Sequence, residues 1–167
     1  MKLELKRLHA DSIASAIKRA EHYRLLNEPL QAESICLDVL ECEPRDQRAL
    51  ILLLLARTDQ FGDVAGTRVE DARQLLPGLE SDYDRSYYAG IICERWARAV
   101  LRGNSLGAGP AAYDWLHQAM GWYEKAQALG EKGNDDPVLR WNSCARQILK
   151  ESHVRPASDE HFHPLLE

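Results

Sequence analysis

The chain has 167 residues, 45% hydrophobic and 28% charged, a composition that fits one globular domain with its own core. Its formal net charge of -5 and pI near 5.7 leave no broad surplus of Lys and Arg for neutralising phosphates, so nucleic acid is not an expected partner. The greasiest run, Ala49 to Ala56, falls far short of the roughly 18 apolar residues that span a bilayer, and no membrane role is expected either.

The N-terminal stretch Met1 to Arg7 interleaves charges with leucines rather than forming the unbroken apolar stretch of a leader. Cys36, Cys42, Cys93 and Cys144 form neither a Cys-x-x-Cys pair nor a dense disulfide framework, so a reducing, cytoplasmic setting is expected. Cys36 and Cys144 have apolar neighbours at helical spacing and read as small buried hydrophobes.

Seven helices are predicted, the first near residues 12 to 26. Asn27-Glu28-Pro29 ends it and starts a second over 29 to 42, because Asn tolerates the left-handed C-cap and Pro suits a first turn. A third, near 46 to 60, contains the Ala49 to Ala56 run and is expected to be buried on more than one side. Gly62-Asp63 turns the chain into a fourth over 63 to 76, and a fifth follows over 82 to 102. Gly103 to Pro110 reads as a flexible connector, leading into a sixth helix over 110 to 130. Asp135-Asp136-Pro137 offers a capping carboxylate and a first-turn proline for the seventh, 136 to 151.

The domain therefore spans 1-151, with an extended tail over 152-167 that contains Pro156 and Pro164. The tail ends in Phe162, Leu165 and Leu166, whose burial would contribute about 1.5–3 kcal/mol each, so it is expected to dock on the body of the protein or of a neighbouring copy. Arg146 or Arg95 would then face the carboxylates of Glu160 and Glu167.

An internal repeat runs through this order of helices. Ala32-x3-Cys36-x2-Val39-x4-Pro44 recurs 33 residues on as Ala65-x3-Val69-x2-Ala72-x4-Pro77, and its spacing returns in Ala119-x3-Tyr123-x2-Ala126, with Glu131 in the proline slot. Each is preceded by a helical stretch: Ala16-x2-Arg19-Ala20-x2-Tyr23, Leu50-x2-Leu53-Leu54-x2-Arg57 and Tyr87-x2-Gly90-Ile91. A last stretch, Trp141-x2-Cys144-Ala145-x2-Ile148, has no partner after it and reads as a capping helix.

These residues resemble the tetratricopeptide repeat, whose pattern of about 34 residues places Trp-x2-Leu-Gly-x2-Tyr before Ala-x3-Phe and Pro. The first unit matches through Ala20, Tyr23, Ala32 and Pro44; the second keeps Leu53, Ala65 and Pro77 but has Arg57 at the Tyr slot. The third keeps Ala119, Tyr123 and Ala126 after an enlarged first helix and loop. The resemblance implies an all-α, right-handed helical-repeat array of about three helix pairs, a capping helix and a tail.

In that family the first helix of each unit lines a concave groove. The resemblance carries this surface onto Ile17, Glu21 and Arg24, then Ile51, Leu55 and Thr58, then Tyr88, Ile92 and Arg95, and finally Asn142 and Arg146. Ile51, Leu55, Tyr88 and Ile92 are expected to form an exposed apolar strip. The Lys and Asn clamp that some members close on a C-terminal carboxylate is missing, since its places in the first two units hold Ile17, Glu21 and Leu52.

The implied function is non-catalytic: an adaptor or scaffold that holds a peptide or helix of another protein, with a homodimer also allowed. A dedicated small chaperone for an exported or assembling protein is the alternative, and a metal or redox enzyme comes third. Phosphate-loop, nucleophile-elbow and His-Glu-x-x-His patterns are missing, and Glu21, His22, Arg24 and His117 are given no catalytic role. His161-Phe162-His163 with His153 upstream is a metal-like pattern, but its setting between Pro156 and Pro164 offers no regular scaffold, so no metal and no cofactor is assigned.

Overall fold

A computed structural model describes residues 3–63 and 68–157 of the chain. The repeat residue Ala65 and the tail residues Glu160, His161, Phe162, His163, Leu165, Leu166 and Glu167 lie outside these described residues.

The protein is all-α, and the helices are α1 (Ile13–Leu25), α2 (Pro29–Cys42), α3 (Gln47–Asp59), α4 (Val69–Arg73), α5 (Asp82–Gly103), α6 (Ala108–Leu129) and α7 (Asp136–Lys150). Among the described residues there is no strand. Six of the seven follow the predicted bounds closely, because the signals that end them are local. Asn27 takes φ 60° as α1 stops, Pro29 opens α2, Gly62 takes φ 93° after α3, and Pro137 lies in the first turn of α7. Asp46 accepts from the Ala49 amide at 2.8 Å and caps α3.

Three local expectations are corrected. The described part of the fourth helix is only Val69–Arg73, followed by a 3-10 turn over Leu76–Gly78, since Pro77 has no amide hydrogen to carry an α-helix onward. Asp135 makes no side-chain cap on α7; Asn134 Oδ1 accepts from the Asp136 amide at 3.2 Å in its place. The connector before α6 is a tight turn, with Asn104 and Gly107 at φ 47° and 82° and Pro110 already inside the first turn of α6, where a missing N–H costs nothing.

Packing follows chain order. α2 packs on α1 and α3, α4 on α3 and α5, and α6 on α5 and α7, while α1 touches α3 and α3 touches α5. The odd-numbered helices thus lie side by side, α7 reaching α5 through Arg140 and Ser143, and each even-numbered helix packs against the two odd ones that flank it in the chain. Three apolar clusters fill the space between them. Ile13, Ile17, Ala20, Ala32, Cys36, Val39 and Leu53 occupy the first, Leu54, Phe61, Val69, Ala72, Ile92 and Ala99 the middle, and Ile91, Leu116, Ala119, Tyr123 and Cys144 the last.

The recurring positions explain this packing. Ala32, Cys36 and Val39, their counterparts Val69 and Ala72, and Ala119, Tyr123 and Ala126 are all buried, and small residues there let neighbouring helices approach. Gly90 takes this furthest: a β-carbon on it would stand 2.5 Å from Cε1 of the fully buried Tyr123 ring.

The domain does not stop at α7. Val154 is completely buried in the last cluster and donates to the Glu151 carbonyl at 2.9 Å, so the segment after α7 folds back onto α5 and α6. A β-carbon on Gly109 would overlap the His153 carbonyl oxygen, a backbone atom with no rotamer to escape into. Gly109→Ala is therefore expected to displace this segment and lower stability by about 1–3 kcal/mol through overpacking. Hydrogen exchange at Val154 should rise in the variant; unchanged protection would disprove the close approach.

Candidate functional site

Ile17 is 3% exposed within the first cluster and Ile92 is fully buried in the middle one, so neither belongs to an open strip. Leu55 and Tyr88 are half-buried against the middle and last clusters, and Ile51 is half-buried on α3. Of the four residues expected in the apolar strip, Ile92 is core and Ile51, Leu55 and Tyr88 are half-buried rather than exposed. Glu21 turns to Arg48 on α3 at 2.9 Å, Asn142 is half-buried on α7, and Arg146 is exposed there.

The odd layer brings together a different set. Asp59, at the end of α3, accepts from Arg24 of α1 through Oδ2 at 2.7 Å and from Arg95 of α5 through Oδ1. Arg95 also donates to Thr58 Oγ1 at 2.7 Å and to the Leu55 carbonyl at 3.2 Å. Glu94 immediately precedes Arg95 on α5, Arg98 lies about one turn after it, and one further turn on is Arg102, which donates to the Phe61 carbonyl at 2.8 Å. Thr58, Asp59, Arg95, Arg98 and Arg102 line a cleft of about 230 Å³.

Behind that cleft Glu94 is fully buried. Its Oε2 accepts the Tyr123 hydroxyl of α6 at 2.5 Å, while its Oε1 faces Arg98 at 2.5 Å and Arg140 of α7 at 3.4 Å. Burial, and then the charge of Glu94, push the Tyr123 phenol far up. Burial works against the charge on Arg140, but Glu94, Tyr87 and Tyr123 together outweigh it and hold that guanidinium above its usual range. At Arg95 burial lowers the proton affinity, Arg24 and Arg140 add to the effect, and Asp59 opposes it.

Of the residues expected on the groove, Arg24, Leu55, Thr58, Tyr88 and Arg95 meet on this face, Tyr88 being near enough to sense the Arg24 charge. Asp59, Glu94, Arg98, Arg102 and Arg140 were not anticipated. A signal existed: Tyr88, Arg95 and Arg102 recur every seven residues along α5, with Arg98 between, which places them on one helical stripe. Glu94 stands three residues after Ile91, in the register of Tyr23 and Arg57 in the first two units.

Cys36, Cys93 and Cys144 are buried and unpaired with one another, and burial pushes the Cys36 and Cys144 thiols up to about 12. Among the described residues, no three His, Cys, Asp or Glu side chains converge to hold a metal ion, and His153 reaches only Glu151, at 3.7 Å. His161 and His163 lie outside the described residues. Also among the described residues, no helix is long and apolar enough to cross a membrane. Comparison with protein-family models, with curated proteins and with solved structures finds no match to the chain.

Removing the partners of Glu94 should expose its importance. Tyr123→Phe is expected to cost about 1–3 kcal/mol by leaving a carboxylate oxygen short of a donor. Glu94→Ala, which strands Arg98 and Arg140, should cost about 3–5 kcal/mol. Urea unfolding measures both, and a Glu94→Ala protein as stable as the parent would refute the network.

The thiols give a pH dependence. In the unfolded chain they ionise near their ordinary value of 9.0, whereas in the folded chain Cys36 and Cys144 keep their protons to about 12. The unfolded state then binds fewer protons, so stability should fall as pH rises through about 9. A Cys36→Ala, Cys144→Ala double variant should show a shallower decline in its urea midpoint over that range.

Proposed function

We propose that this protein is a non-catalytic interaction module, a degenerate tetratricopeptide-type array that holds a peptide or helix of another protein on the face of its odd-numbered helices. The observation that carries the reading is the side-by-side layer of α1, α3 and α5, whose outer face bears the Thr58, Asp59, Arg95, Arg98 and Arg102 cleft while the even-numbered helices supply much of the core. The 33-residue spacing, with Ala20, Ala32, Val69, Ala72, Ala119 and Ala126 all buried, supports the repeat assignment. Half-buried Leu55 and Tyr88 beside the arginines supply the mixture of apolar contact and directional donors that peptide recognition uses. Thiols held protonated by burial favour binding over nucleophilic chemistry.

The test is positional. A photo-cross-linking amino acid replacing Ile51, on the odd-helix face, should give a discrete adduct in the source cells. The same group replacing Leu30, 70% exposed on α2, should give none. Equal labelling from the two sites, or labelling only from Leu30, would reject the face.

A further inference from the structure

Five arginines from three helices converge on one side of the odd layer: Arg24 on α1, Arg95, Arg98 and Arg102 on α5, and Arg140 on α7. The acids paired with them among the described residues are two, Asp59 and Glu94. Among the described residues three positive charges are therefore left over locally, in a chain whose formal net charge is -5. Such an excess is costly to keep, because like charges repel: at Arg95, burial first and then the Arg24 and Arg140 charges lower the hold on a proton, with Asp59 and Glu94 opposing. A structure of this kind gains from an incoming negative charge.

The donors needed to receive that charge are in place. A guanidinium carries five N–H groups in a planar fork, and in the pairs above Arg98 and Arg102 each engage protein through Nη2. Arg102 is exposed and the Arg98 side chain is 38% exposed, so both have donors facing solvent at the cleft. Fork geometry matches a carboxylate with two parallel hydrogen bonds. The cleft, at about 230 Å³, accepts a side chain rather than a polyanionic duplex, which the acidic chain as a whole would repel. Leu55 and Tyr88, half-buried along the same face, give an apolar residue next to the acid a place to pack.

We propose that the cleft of Arg95, Arg98 and Arg102 is the docking site for an acidic peptide segment, whose carboxylates take the unpaired guanidinium donors while an adjacent apolar residue packs on Leu55 and Tyr88. This rests on the binding face described under the proposed function and specifies the chemistry of its partner.

A random peptide library displayed on phage and panned against the full chain should return sequences enriched in Asp and Glu beside an apolar residue. A synthetic representative, followed by fluorescence anisotropy, should bind less tightly as salt is added. Arg102→Glu should weaken it at least about tenfold, as loss of a close charge pair does, and Arg102→Gln by less. Arg45→Glu makes the same charge change at an 82% exposed side chain between α2 and α3 and should leave affinity nearly unchanged. Circular dichroism of each variant separates lost binding from lost folding, and Arg102→Gln serves if the reversal unfolds the chain.

Recovered peptides without an acidic excess would overturn the inference while leaving the interaction face intact, provided the Ile51 cross-link is still observed. Equal weakening by Arg102→Glu and Arg45→Glu would reduce the effect to net charge and also overturn it. Salt-sensitive self-association abolished by Arg102→Glu would assign the surface to a second copy and end the peptide reading. Failure to recover any peptide, with no cross-link at Ile51, would sink this inference and the proposed function together.

Discussion

A carboxylate with no exposure to solvent sets the terms for the C-terminal half of the molecule. Moving an ion of this size out of water costs several kcal/mol even after relaxation, so Glu94 is tolerated only because α6 brings it a hydroxyl and α5 and α7 bring guanidiniums. Those requirements fix three helices relative to one another. Tyr123 reaches Glu94 only if α6 lies close along α5, and that closeness is what Gly90, with no side chain, permits. Arg140 reaches it only if α7 returns to the layer of α5, which in turn gives Val154 an apolar site to fill.

The same register position carries a different solution in each unit. Tyr23 packs on the first apolar cluster, Arg57 pairs with Glu33 of α2 at 3.0 Å and donates to the Asp71 carbonyl of α4 at 2.8 Å, and Glu94 binds Tyr123 and two arginines. One position therefore ties each odd helix to its neighbours, first by apolar contact and then by polar groups. Polar ties demand directional partners, whereas apolar contacts mainly demand volume. The second and third units are accordingly the ones in which the repeat pattern is hardest to recognise. Each polar residue at this position has a partner elsewhere: Glu33, itself also bound by Gln60, for Arg57, and Tyr123 for Glu94.

The odd layer's arginines connect this internal constraint to the surface. Arg98 divides its contacts between buried Glu94 and Ser143, and Arg95 joins Asp59 to Thr58 and the Leu55 carbonyl. The side chains that face the cleft are thus held by groups within the fold, which lowers the conformational entropy that a ligand's arrival would otherwise cost. The cleft is thus organised by the fold itself.

The helix boundaries were determined by the sequence itself, because Asn27, Pro29, Gly62 and Pro137 act on the backbone within one turn and need nothing distant. So was the alternation of packing positions, since Ala20, Ala32, Ala72, Ala119 and Ala126 recur with helical spacing and are all buried. What faces outward was decided by tertiary structure alone. Ile17 and Ile92 were assigned to a groove by their register, yet the approach of neighbouring helices encloses both, and the open side of the odd layer carries a basic cleft beside half-buried Leu55 and Tyr88. Glu94 reads in sequence as one more helical acid, and the length of the loop between α5 and α6 could not be read from a glycine-rich stretch that a flexible connector would share. Both depend on contacts between residues far apart in the chain, Glu94 with Tyr123 and Arg140, Gly109 with His153, and spacing along one helix carries no record of which surface another helix will cover.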